Sequence, residues 1–260
     1  MPEDEFHEDY EFLSRKQRLT YEEILKIAKV AAGLGVSKMR LTGGEPLLDK
    51  NLADLVAGLA AIPGVNDLAL TTNGMLLAPV AQKLADAGLH RVTISLDSLD
   101  AEIFRHMSGG RGDLGRVLEG IEAAQRAGLT PVKINVVVQR GINDHTVLDL
   151  LDHFRGTDHI VRLIEFMDVG NRNGWRLDQV VPSRVLLEQV QRHWPLRRID
   201  QNYPGEVAHR YEYVDGAGEI GFISSVTAPF CGGCSRARLS ADGVLYTCLF
   251  ANQGTDLRES

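Results

Sequence analysis

Cysteine is almost missing from this chain: there are three in 260 residues, all inside one 18-residue window, Cys231-Gly-Gly-Cys234-Ser-Arg-Ala-Arg-Leu-Ser-Ala-Asp-Gly-Val-Leu-Tyr-Thr-Cys248. An odd count, with no signal-peptide pattern at the start, argues against a secreted disulfide framework and for a cytoplasmic, reducing location. Long hydrophobic runs are lacking as well, and none of the apolar stretches is long enough to cross a bilayer. A basic excess is also absent. The net charge of −7 argues against non-specific nucleic-acid binding, which needs a basic surface. Neither a Walker phosphate loop nor a G-x-S-x-G elbow is present. The eight histidines show no H-x-x-E-H or H-E-x-x-H spacing, so no helix offers two metal ligands on one face.

What is present fits a folded protein. With 44% hydrophobic and 24% charged residues, the chain can bury the core of one large α/β domain, or of one domain plus an appendage. The cysteine array is the most specific feature. Three thiolates leave open one position of a tetrahedral ion, or one iron of a four-iron cluster, and a zinc site completed by a distant histidine is the other reading. Arg236 and Arg238 beside that open position suggest an anionic ligand.

From Thr20 to Met167 helices alternate with apolar strands. Thr20-Tyr-Glu-Glu23 is a capping box, and Ile24, Ile27, Ala28, Ala31 and Leu34 form the apolar stripe of the helix it opens. Strands are expected at 38–42, 67–72, 91–96, 132–138 and 161–167, with helices near 50–62, 77–88, 113–127 and 145–155 between them. Such βαβ succession implies a parallel sheet, open or curled into a barrel. After Asn171 the pattern changes to a Gly/Asn-rich turn, a helix near 182–194, short strands near 209–214 and 219–225, and then the cysteine segment. Ser240-Ala-Asp-Gly-Val244 reads as a hairpin with a type I turn closed by glycine, a register that sets Cys248 opposite Arg236. A two-residue Asp-Gly turn would shift that pairing by one and turn the arginines to the other face.

Ligands of parallel α/β proteins gather beyond the C-terminal strand ends. There stand Thr42-Gly-Gly-Glu45-Pro46, Thr71-Thr-Asn-Gly74, Ser95-Leu-Asp97 and Glu165-Phe-Met-Asp-Val-Gly170. Each alone is more commonly just a connection; their recurrence at successive strand ends is the stronger evidence for a site. Arg40 and Lys133 are cations inside apolar strands, which is costly unless they are paired or face a polar cavity. Arg162, at a strand entrance, has a weaker case. Asp97 and Asp100 are acid–base candidates, although Asp-x-x-Asp before a helix is commonly an N-cap arrangement.

Taken together, these strand-end motifs and the final C-x2-C-S-R-A-R-x9-C array resemble the GTP 3′,8-cyclase family of radical S-adenosylmethionine enzymes (molybdenum cofactor biosynthesis protein A). The resemblance implies an incomplete parallel (β/α) barrel over 1–170 and a C-terminal auxiliary-cluster and substrate-binding region over 171–260. It implies S-adenosylmethionine contacts at Gly44, Ser95 and Met167, and GTP contacts at Arg40, Thr71, Lys133, Arg236, Ala237 and Arg238. Cys231, Cys234 and Cys248 would hold a [4Fe-4S] cluster whose fourth iron is left for the guanine base. The implied reaction converts GTP to 3′,8-cyclo-7,8-dihydro-GTP, the first step of molybdenum cofactor biosynthesis. An electron donor, a homodimer and cyclic pyranopterin monophosphate synthase downstream are the implied partners, with no nucleic acid and no membrane.

The chain departs from the family at both ends. At the far end it stops at Ser260 without the family's further helices and Gly-Gly tail. The C-x3-C-x2-C motif that holds the S-adenosylmethionine-binding cluster is absent, and Met1-Pro2 matches what commonly follows it in the family. The reading is therefore of a chain cut at both ends, lacking the first strand and inactive alone. A late start codon, a trimmed chain, a gene fragment or a paralogue without radical chemistry all fit. Two further readings stand beside it: another radical S-adenosylmethionine enzyme with an auxiliary cluster, and a non-catalytic protein that binds a nucleotide or metal.

Overall fold

A computed structural model describes residues 13–168 and 174–258. The readings that rest on Met1-Pro2, on Val169-Gly170, on the turn from Asn171 and on Ser260 lie outside the described residues.

The capping box forms as expected. Glu23 N donates to Thr20 Oγ1 at 3.2 Å, and Thr20 N donates to Glu23 Oε2 at 2.7 Å. It starts α1 (Tyr21–Gly33). Leu34 leaves the expected stripe, since the helix ends one residue earlier and the side chain is 83% exposed. Then follow β1 (Lys38–Leu41), α2 (Leu52–Ala60), β2 (Asp67–Thr72), α3 (Ala81–Asp86), β3 (Arg91–Ser95) and α4 (Ala101–Met107). Next come α5 (Leu114–Arg126), β4 (Lys133–Val138), α6 (Val147–Phe154), β5 (Ile160–Glu165), α7 (Ser183–His193), β6 (Leu196–Ile199), β7 (His209–Tyr213) and β8 (Glu219–Ile223). The short strands β9 (Arg238–Leu239), β10 (Val244–Tyr246) and β11 (Thr255–Asp256) end the described chain. The strand β6 is not apparent from the sequence, because its Leu-Arg-Arg-Ile alternation covers only four residues.

One sheet runs in the order β1-β2-β3-β4-β5-β8-β7-β6, parallel from β1 through β8 and antiparallel across β8-β7-β6. The period-2 alternation of its strands sorts two faces. Leu68, Leu70, Val92, Ile94, Ile134, Val136, Val161, Leu163, Ile220 and Phe222 join the helices in the main core. Their alternates, Arg40, Thr71, Thr93, Ser95, Lys133, Asn135 and Arg162, turn to the opposite face, which no helix among the described residues covers. This is the open side of a parallel barrel rather than a sheet sandwiched between helices.

The sheet curls. The turn after β6, at one sheet edge, carries Tyr203 back to β1 at the other, where the Lys38 ammonium sits 3.3 Å from the ring centroid. The barrel is thus open, and the segment between β6 and β7 bridges its gap. Among the described residues no helix is long and apolar enough to cross a membrane.

Candidate functional site

The polar face of the curled sheet forms a bowl, and its floor is cationic. Arg40 Nη1 donates to Thr71 Oγ1 at 2.7 Å and to Thr93 Oγ1 at 3.1 Å, so two hydroxyls on neighbouring strands orient the guanidinium. Lys133 opens its strand but pairs in register with Thr93, midway along β3, because the parallel strands are staggered. The same stagger corrects the reading of Arg162. Far from a solvated entrance, its side chain lies in the bowl, and Nε donates to Asn135 Oδ1 at 3.0 Å. Arg91, not singled out from the sequence, is held by Asp67 through two bonds of 2.8 and 2.6 Å.

Among the described residues, Arg40, Lys133 and Arg162 have no carboxylate within 4.0 Å. Water reaches them through the open bowl: Arg40 keeps an exposed surface, and the surrounding protein removes part of the hydration of the half-buried Lys133 and Arg162. Burial first, then Arg162 and Arg91, pushes the Lys133 ammonium down to about 8. Burial and the neighbouring Arg40 bring Arg162 down to about 10, and burial with Arg91 lowers Arg40. Three cations that depress one another are a poor arrangement for the empty protein and a good one for a polyanion.

The strand ends form the rim. Thr42-Gly-Gly-Glu45-Pro46 follows β1, and Glu45 is bound rather than free. Its Oε1 accepts from Thr72 Oγ1 at 2.7 Å and Leu47 N at 3.0 Å, and its Oε2 accepts from Asn73 N at 2.8 Å. The carboxylate therefore ties the loop after β1 to the loop after β2. At Gly43 and Gly44 an added Cβ would meet nothing within 4 Å, and neither has positive φ. Among the described residues neither backbone strain nor packing requires glycine there, and the bare backbone leaves room for a close approach. Ser95 ends β3. Asp97 is not an N-cap: Val137 N donates to its Oδ1 at 2.8 Å, while Asp100 caps α4 by accepting from Glu102 N and Ile103 N. Burial pushes the Asp97 carboxyl up to about 6 against the pull of the Val137 amide.

Beyond β5, Met167 packs with Val137, Val207 and Phe230 on Ile164, Ala208 and Ile223 as an apolar wall. Glu165 has no exposed surface and anchors that wall. Its two oxygens accept from Ser183 N at 2.7 Å, Val226 N at 2.8 Å, Thr227 N at 2.8 Å and Thr227 Oγ1 at 2.5 Å. Burial raises its pKa, but these four bonds win and leave it below the ordinary carboxylate value. They also fix the segment that leads to Phe230 and the cysteines.

The cysteine hairpin takes the expected register. Leu239 pairs with Leu245 and Arg238 with Tyr246, Ser240 N donates to Val244 O at 2.9 Å, and Gly243 has φ 93°. The ladder stops before the Arg236–Cys248 pair. Cys231 and Cys234 share a single 3-10 turn (Cys231–Gly233 and its cap), and all three thiols are free and exposed. Arg236 Nη2 donates to Cys234 Sγ at 3.3 Å, and Phe250 N donates to Cys248 Sγ at 3.4 Å. The Arg236 backbone and side chain, with Arg238, hold the Cys234 thiol below its usual range. Among the described residues no group of three His, Cys, Asp or Glu side chains is gathered closely enough to hold a metal ion. Arg40, Thr71 and Lys133 are brought together; Cys231 and Cys234 stand in the turn before the hairpin and Cys248 just after it, and among the described residues the three are not gathered into a metal-holding group. Arg91 and Tyr203 are not singled out by the sequence, and Arg162 and Glu165 are noticed there without these roles, because stagger and curl, not spacing, give them their places.

Comparison with known proteins agrees with this architecture. Residues 5–154 match the family profile of the Radical SAM superfamily, and residues 159–260 match that of Molybdenum Cofactor Synthesis C. The chain is 56% identical over 258 residues to the GTP 3′,8-cyclase of Xanthomonas axonopodis pv. citri (strain 306), covering 99% of this chain and 77% of the relative. It is 52% identical to the GTP 3′,8-cyclase of Acidothermus cellulolyticus, covering 71% of that protein. Among solved structures, Streptococcus suis SuiB bound to S-adenosylmethionine superposes with a TM-score of 0.70 at 16% identity, over 97% of this chain and 59% of that one. Methylornithine synthase (PylB) superposes at 0.55 with 20% identity, over 67% of this chain and 52% of that one. At such identities the two structures speak for the fold alone. The matched relatives and profiles, joined to a curled parallel sheet with a cysteine hairpin beside its mouth, show that the chain belongs to the GTP 3′,8-cyclase family of radical S-adenosylmethionine enzymes.

Proposed function

We propose that this chain binds GTP in the cationic bowl and acts in the cyclisation of GTP to 3′,8-cyclo-7,8-dihydro-GTP, at the entry to molybdenum cofactor biosynthesis. The observation that carries the reading is the set of three cations, Arg40, Lys133 and Arg162, without a carboxylate in contact among the described residues. A triphosphate supplies the missing charge. Thr71 and Thr93 hold the Arg40 fork in place, so its remaining donors are set before a ligand arrives.

At the rim, Gly44, Ser95 and Met167 would contact S-adenosylmethionine, and the open space at Gly43 and Gly44 fits a close backbone approach. The apolar wall of Val137, Ile164, Met167, Ile223 and Phe230 excludes water from the space between the two ligands. Cys231, Cys234 and Cys248 would hold a [4Fe-4S] cluster, an assignment supported by three free thiols, of which Cys234 has a donor in Arg236 and Cys248 one in Phe250. Such a cluster supplies an open iron for the guanine base, and Arg236, Ala237 and Arg238 would flank the substrate there. The cluster that cleaves S-adenosylmethionine in this superfamily needs its own three thiolates. The chain has no cysteine outside 231–248, so its residues do not fit that group and no step is assigned through it. A homodimer, an electron donor and cyclic pyranopterin monophosphate synthase as the next enzyme rest on the resemblance.

Calorimetric titration of the anaerobically reconstituted chain with GTP tests this reading. Arg236→Ala with Arg238→Ala is expected to weaken binding by about a hundredfold, as the loss of two charge-assisted contacts implies. About four iron and four acid-labile sulfide per chain are expected. Zinc without sulfide, or GTP affinity indifferent to both arginines, would refute it.

A further inference from the structure

The segment that bridges the barrel gap carries a carboxylate with no role yet assigned. Glu206 is 7% exposed. It is locked within its own turn: Asn202 N donates to Oε2 at 2.7 Å, Gln201 Nε2 donates to the Glu206 carbonyl at 2.9 Å, and Glu206 N donates to Tyr203 O at 3.2 Å. The turn itself is fixed at three points. Tyr203 underlies the Lys38 ammonium. At Gly205, φ +82°, an added Cβ would lie 2.9 Å from the Gly233 carbonyl of the cysteine turn and 3.2 Å from Ser235 Oγ. Further on, Gly221 lets the Arg162 side chain and Ala208 approach: a Cβ there would stand 3.2 Å from Arg162 Cγ and 3.3 Å from Ala208 Cβ.

Glu206 is thus a rigid anion set beside the cationic floor, and among the described residues no cation lies within 4.0 Å of it. It acts through its field. Burial is the largest influence on Lys133 and on Arg162, and Glu206 opposes it at both; it also adds, after their own partners Asp67 and Glu219, to the charges of Arg91 and Arg210. Of the other carboxylates near the floor, Asp67 is already consumed by Arg91 and Glu219 by Arg210. The turn's internal hydrogen bonds could be made by a neutral glutamine, so the charge itself calls for a reason.

We propose that Glu206 is the resident counter-anion of the phosphate-binding cations and sets how steeply that site discriminates among nucleotides by their charge. The inference rests on the GTP reading of the bowl. A fixed negative charge at a given distance opposes each ligand in proportion to the ligand's own charge. It makes the empty bowl tolerable and moderates the affinity for every phosphate, most of all for the most highly charged. A carboxylate with a purely structural role would instead affect all ligands by one common factor.

The test compares the chain with Glu206→Gln in calorimetric titrations with GTP, GDP and GMP, and with tripolyphosphate and orthophosphate as base-free probes, at low salt. Glu206→Gln is expected to bind GTP about tenfold more tightly and GMP about threefold, the gain in log affinity rising with ligand charge. Glu206→Asp, which keeps the charge, is expected to restore the graded order of the unaltered chain. An equal factor for every ligand, no change, or a uniform loss would overturn the proposal. Tripolyphosphate separates it from the reading it rests on. If the chain binds tripolyphosphate but not GTP, a graded gain with the inorganic anions still supports the counter-anion while the GTP reading fails; if neither anion binds, both fail. Should Glu206→Gln be poorly folded, tripolyphosphate is expected to raise its melting temperature more than that of the unaltered chain, and an equal or smaller rise would overturn the proposal.

Discussion

At the residue scale, Lys133 shows how one side chain couples stability to binding with opposite signs. Its pKa falls from 10.5 to about 8 in the folded, ligand-free chain, burial being the largest cause. Between those two values the unfolded chain holds the proton that the folded chain has lost. Stability should therefore rise with pH across that window, by the linkage of proton binding to folding. Phosphate binding needs the ammonium, so GTP affinity should fall through the same window. Melting temperature and GTP affinity measured against pH test both slopes, and Lys133→Met should flatten the two together. Arg162 and Lys133 are both half-buried cations of the bowl, yet Lys133 is the more legible from the sequence. A cation followed by Ile-Asn-Val-Val-Val stands out, whereas one at a strand's second position looks solvated until the stagger of β4 on β5 is known.

At the scale of elements, the Glu165 clasp joins the end of β5 to the start of α7 and to the segment after β8. Glutamine at this position would keep the shape but turn an amide N–H₂ toward backbone donors. Glu165→Gln is expected to cost about 2–4 kcal/mol in urea denaturation, the scale of losing charge-assisted bonds in a buried site. The folded pKa lies below the ordinary 4.5, so the carboxylate's contribution is complete above that value and is lost as pH falls through the folded one. The variant should therefore show a flatter acid limb. A cost under about 1 kcal/mol would mean that the clasp is incidental. The cysteine hairpin is the contrasting case. Its register was legible because Asp-Gly with one residue before it specifies a local turn, and Gly243 adopts the left-handed φ which that turn needs. The convergence of three thiols depends on more than the turn, and the hairpin alone does not produce it.

At the scale of the whole molecule, a chain of net charge −7 carries its positive potential inside a curled sheet. The surface repels polyanions while the bowl attracts them, so selectivity depends on a ligand small enough to enter. GTP affinity is expected to fall by about tenfold or more between about 0.05 and 0.5 M salt, since the cations are reached by water and mobile ions screen them. Titration over that range measures it. An affinity independent of salt would mean that the phosphates are held elsewhere.

Composition, period and turn chemistry determined much by themselves: the βαβ succession, the capping box, the hairpin register, two of the three unpaired cations and the absence of any cysteine outside 231–248. These are local properties, written in the spacing of side chains along one strand or helix. The tertiary structure decided what spacing cannot carry. Strand stagger moved Arg162 into the bowl beside Lys133. The curl of the sheet brought Tyr203 from one edge to Lys38 at the other and set Glu206 beside the cationic floor. Both depend on how strands slide and bend against one another, and that is decided by packing over the whole sheet.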